Sequence, residues 1–122
     1  MSEPDRVFAR LKGLLAPGGR MAIEDIDMSG AFCYPPEPAQ DRFQALYTEA
    51  VRRGGADANL GRRLPALALA AGLHGAQWRV FQPLYASGSH KHMTAVTMQL
   101  IAGRFCAMGW RPRLRSPCSP GN

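Results

Sequence analysis

Between Arg6 and Leu15 the apolar residues fall at Val7, Phe8, Leu11, Leu14 and Leu15, the spacing of one helical face. Asp5 is placed to cap the start of that helix, and Pro17-Gly18-Gly19 forces its end. The pattern then changes. "RMAIEDID", residues 20–27, is short, begins with successive apolar positions and has no helix start signal, so it reads as a strand. Strands apolar on consecutive positions are those buried on both faces, as in a parallel sheet covered by helices. A loop rich in Gly, Pro and aromatic residues runs from Ser29 to Pro38. Asp41 to Arg53 reads as an amphipathic helix with Phe43, Leu46, Tyr47, Ala50 and Val51 on one face. After the turn "RGGADANLG", Asn59 is placed to cap a helix over Leu60–Ala71 that stops at Gly72. "AQWRVFQPL", 76–84, reads as a second strand ended by Pro83, and a weaker helix covers Lys91 to about Ala102. The order helix, strand, helix, helix, strand, helix predicts the α/β class. The chain has no internal repeat.

The length of 122 residues allows one ordinary domain. No apolar run approaches the roughly 20 residues of a membrane-spanning helix. The first residues, "MSEPDRVFARLKG", carry charges where a signal peptide needs its apolar region, which predicts a cytoplasmic location. The three cysteines, Cys33, Cys106 and Cys118, are odd in number and lack C-x-x-C spacing, which argues against a disulfide framework or a zinc knuckle.

The net charge of +6 is unevenly spread. Residues 1–60 hold all nine acids against seven Arg and Lys, giving −2, whereas residues 61–122 hold eight Arg and Lys and no acid. Such asymmetry marks a contact with nucleic acid or an acidic surface, or else two ends of different origin.

The acids concentrate where the first strand ends. In open α/β sheets ligands bind beyond the carboxyl ends of the strands. Glu24, Asp25 and Asp27 would therefore face a crevice, while the apolar half of the same strand enters the core. The plainer alternative is that these acids are solvated or cap a turn.

The stretch "LKGLLAPGGRMAIEDID" resembles the middle of class I S-adenosylmethionine-dependent methyltransferases. There a helix ends in a leucine-rich turn with Pro-Gly-Gly and leads into the fifth strand of a seven-stranded sheet. "FCYPP", "RRGGADANLGRRLPALALAAGL", "AQWRVFQP" and "TMQLIA" follow in matching order, so the resemblance covers about Val7 to Met108. It implies an incomplete Rossmann-like sheet, strand five onward with flanking helices, over residues 1–108. It also implies transfer of a methyl group from S-adenosylmethionine to a nucleophilic O, N or C of a small-molecule acceptor. Without the family's last strand, the two expected strands should pair directly or leave a strand-wide gap; an all-helical structure would sink the methyltransferase reading.

Two departures qualify the resemblance. The family's cofactor site uses a glycine-rich turn after the first strand and an acid ending the second, and neither is present. Gly18-Gly19 precedes a strand instead of following one. No cofactor-binding residue is therefore expected in this chain, which by itself is expected to be inactive; a chain supplying the other half is one possible partner. The end departs too: "GWRPRLRSPCSPGN", 109–122, has three Arg, three Pro and no acid. That basic tail is expected to be disordered, and its composition is what a shifted frame of GC-rich DNA gives.

By the same resemblance, Glu24, Asp25, Asp27 and Tyr34 would line the acceptor site, and Asp25 or Asp27 would be the candidate general base. A carboxylate does that work only if its pKa is tuned and it reaches the proton. Methyl transfer also runs on alignment alone, with no dedicated base. Arg62 and Arg63 read as a solvated or salt-bridging helix face. Cys33 shows no base that would activate it. His90 and His92 lack a third ligand, so no metal site is expected. Trp78, Phe81, Met93 and Met98 read as core. The rival classes are a non-catalytic remnant or protein-interaction module and, as the lesser reading, nucleic-acid binding through Arg104, Arg111, Arg113 and Arg115 with Trp110.

Overall fold

The computed structural model describes residues 3–107 and Gly109. Four α-helices carry the chain: α1 (Pro4–Gly13), α2 (Pro38–Arg53), α3 (Leu64–Ala70) and α4 (Met93–Ala107). Short 3₁₀ turns at Met28–Gly30, Leu60–Arg63 and Ser89–His92 precede the last three.

Among the described residues there is no strand, so the α/β expectation and its incomplete Rossmann-like sheet are corrected. Residues 20–27 and 76–84 are not helical, but neither pairs with a neighbour. The physical reason is that a strand is defined by its partner: a run with β character and nothing beside it forms no ladder. The basic tail lies outside the described residues, Gly109 excepted.

Two compact units divide the chain. One comprises residues 1–31 and 51–82, the other 32–50 and 83–122. In the first, Pro4 starts α1, with Asp5 in the first turn and Arg10 and Lys12 in the last, the arrangement that suits the helix dipole. The apolar face of α1 meets α3. Phe8 (0 % exposed) and Leu60 (1 %) are fully buried, with Leu64, Leu67 and Ala68 around them and Ile23, Ala71 and Leu73 packed at the edge. The end of α3 closes by a Schellman pattern. Gly72 takes φ +72°, its N–H donates to Leu69 O at 2.9 Å, and Leu73 N–H donates to Ala68 O at 2.9 Å. That turn points Leu73 back at the core.

The second unit contains most of α2 and all of α4. Phe43, Ala50 and Ala102 are buried there, and the rings of Phe43 and Tyr47 lie 5.8 Å apart. Thr94 Oγ1 donates to Gln40 Oε1 at 3.4 Å.

The first unit's core rests on few side chains. Phe8→Ala is therefore expected to cost about 3–5 kcal/mol, whereas Leu14→Ala, at a position 75 % exposed, should stay within about 0.5 kcal/mol. Urea unfolding followed by the helical circular-dichroism signal measures both. Equal effects would show that Phe8 does not anchor the core.

Candidate functional site

The extended run 20–27 is fixed at its carboxyl end and not before it. Gly61 N–H donates to Ile26 O and Met28 N–H donates to Ala58 O, both at 3.0 Å. The first bond needs a glycine. A Cβ at position 61 would stand 2.9 Å from both Asp25 O and Ile26 O, closer than real contacts allow. Backbone thus meets backbone, and the turn that delivers Leu60 to the core also grips the acid-rich end of the extended run.

Side chains finish the junction. Arg62 Nε donates to Asp27 Oδ2 at 2.6 Å, and Arg62 Nη2 donates to Asp27 Oδ1 at 2.7 Å, a two-pronged pair. Arg62 Nη2 also donates to Ser29 Oγ, which itself donates to Asp27 Oδ1 at 3.0 Å. Ser29 N–H donates to Asn59 Oδ1 at 2.8 Å. Beside this group, Asn59 N–H donates to Asp57 Oδ1 at 2.9 Å, and Arg63 Nη1 donates to Asp57 Oδ2 at 3.1 Å.

The charges respond accordingly. Hydrogen bonding from Arg62 first, then from the Ser29 hydroxyl, holds the Asp27 carboxyl below its ordinary value of 3.8. The Asn59 backbone N–H, then Arg63, lowers Asp57. Arg62 is raised in turn by Asp27. An ionised carboxylate held by a guanidinium is a poor proton acceptor, so the geometry gives Asp27 the work of a clamp.

The other residues singled out from sequence are placed as follows. Glu24 and Asp25 are exposed, and Asp25 Oδ1 accepts the N–H of its neighbour Ile26 at 2.7 Å. Tyr34 belongs to the second unit and is 86 % exposed. Cys33 is a free, exposed thiol, whereas Cys106 is disulfide-bonded. His90 and His92 are exposed, and the His90 ring stacks on Tyr85 with centroids 4.9 Å apart. Trp78, Phe81 and Met93 are exposed where core positions were expected, and Met98 is half-buried. Sequence reasoning placed Arg62 on a salt-bridging face but missed Ser29 and Asn59 as its associates. Asp27 and Arg62 lie 35 positions apart, so no local spacing announces the pair.

The residues present do not fit S-adenosylmethionine. Such a cofactor needs a backbone cradle for its carboxylate end and a carboxylate for its ribose hydroxyls. Among the described residues no polar or charged side chain is buried, and the Gly18-Gly19 turn follows a helix. Nor do three His, Cys, Asp or Glu side chains come together among the described residues as a metal site would require. None of the described helices is long and apolar enough to cross a membrane.

The Asp27–Arg62 pair makes stability depend on acid. Because the Asp27 carboxyl is lowered in the folded chain, its contribution is fully present above about pH 4 and is lost as the pH falls through the lowered value. The pair is partly exposed, so solvent screening keeps that contribution modest. Asp27→Asn should lie below the parent protein at neutral pH and converge with it in strong acid. Urea midpoints across the acid range measure this, and a gap that stayed constant would rule out the ion pair as its cause. Comparison with known proteins adds no relative: no family model, no curated protein and no solved structure matches the chain.

Proposed function

We propose that the chain is the C-terminal, acceptor-side piece of an S-adenosylmethionine-dependent methyltransferase and works only when joined to the half that carries the cofactor site. The reading is supported chiefly by the ordered resemblance over about Val7 to Met108. The described residues form no sheet, so the fold that the resemblance implies is not among its supports. The acceptor would be a small molecule, and Glu24 and Asp25, whose carboxylates no Arg or Lys holds here, are the groups available to bind its hydroxyl or amine. Asp27 would hold the wall on which they stand.

A second reading has its own observation. Every residue from His74 to Met93 is exposed, including Val80 at 97 %, Phe81 at 86 % and Leu84 at 77 %. A run this apolar in water is characteristic of an interaction surface, as a non-catalytic interaction module would have.

The DNA preceding the Met1 codon and across codon 109 separates the two. The methyltransferase reading expects an in-frame strand, glycine-rich turn and helix upstream. It also expects that the extended polypeptide binds S-adenosylhomocysteine by calorimetry while residues 1–122 alone do not. An upstream region without that half, or an extended polypeptide that fails to bind, would leave the interaction module.

A further inference from the structure

We infer that the chain, when alone, pairs with a second copy of itself, residues 22–25 of each copy lying antiparallel to residues 78–81 of the other. Both runs belong to the first unit, and both are tethered at one end only. Ile26 O is held by Gly61 N–H at 3.0 Å, and Gln82 Nε2 donates to Gly30 O at 2.8 Å. Upstream of those tethers, among the described residues, no backbone hydrogen bond is made by 21–25 or by 77–81. Each run is therefore an open edge whose backbone groups have no hydrogen-bond partner among the described residues, the feature that recruits another strand.

Charge and apolarity identify the occupant. The first run carries Glu24 and Asp25, both exposed, and the second carries Arg79 with no acid anywhere from residue 61 onward. Setting Glu24 opposite Arg79 in an antiparallel register brings Ile23 opposite Val80 and Ala22 opposite Phe81. Residues of one face then stay on one face. Pairing 77–81 with 77–81 would set Arg79 against Arg79, and pairing 21–25 with 21–25 would set Glu24 against Ala22 and Asp25 against Met21, leaving both acids without an opposite charge. The heterotypic pairing avoids both, and because each copy has one run of each kind it closes as a two-fold dimer. This inference concerns the chain by itself and does not depend on the methyltransferase reading.

Sedimentation velocity over a wide concentration range, at low and high salt, tests it with the full 122-residue chain. The expected result is a monomer–dimer equilibrium that salt weakens. Arg79→Glu or Glu24→Arg should each weaken dimerisation about tenfold, and the double variant should restore it. Val80→Pro removes a donor at a position that makes no internal hydrogen bond, so it should abolish the dimer and leave the monomer's helical signal unchanged. A chain that stays monomeric at all concentrations, grows into larger species, or dimerises equally in every folded variant overturns the pairing.

Discussion

The structure depends on one meeting of backbones. Gly61 N–H reaches Ile26 O, and Met28 N–H reaches Ala58 O, across a separation of some thirty residues. These bonds bring the 3₁₀ turn Leu60–Arg63 against the end of the extended run. That placement sets Leu60 beside Phe8 and lets Arg62 grip Asp27. Without this approach α3 would still be helical by its own sequence, but nothing would fix its face against α1. A side chain at position 61 would prevent the contact by steric overlap, which makes that glycine a requirement of packing and not of a turn, since no left-handed φ is involved.

The same meeting divides the acids. Asp27 is drawn into a hydrogen-bonded clamp with Arg62 and Ser29, and its charge serves the fold. Two residues earlier, Asp25 does no more than accept its neighbour's N–H, and Glu24 stands in water. Three carboxylates within four positions thus acquire different work through the reach of one arginine. The apolar-to-acidic grading of the run reflects this: Ile23 packs at the core edge, and the chain then emerges to solvent at the junction.

The helices were legible in the sequence because their signals are local. The α1 face at Val7, Phe8 and Leu11, the α2 face around Phe43 and Ala50, and the Gly72 stop all operate within a few residues. Boundaries moved for equally local reasons. Pro38 begins α2 earlier than Asp41, and Leu60–Arg63 winds as a 3₁₀ turn before α3. The two strands expected over 20–27 and 76–84 are not formed among the described residues, because Trp78, Val80 and Phe81 show only that burial is wanted and not what provides it. Hydrophobicity is a property of the residue, whereas a ladder is a property of two segments. The clamp escaped for the related reason that Asp27 and Arg62 become neighbours only after the fold has formed.

This difference bears on what the acids can do. Glu24 and Asp25 retain free carboxylate lone pairs, but an acceptor brought to them in the isolated chain would compete with bulk water for every hydrogen bond. Removing that water takes a covering surface, and the first unit supplies none over residues 21–25. The uncovered backbone there and the uncovered carboxylates beside it are consequences of one absence. A chain that satisfied the N–H and C=O groups of that run would also exclude solvent from Glu24 and Asp25, and would strengthen any hydrogen bond they make. Any chemistry at these residues would therefore require completion of the extended run, whereas completion by itself requires no chemistry.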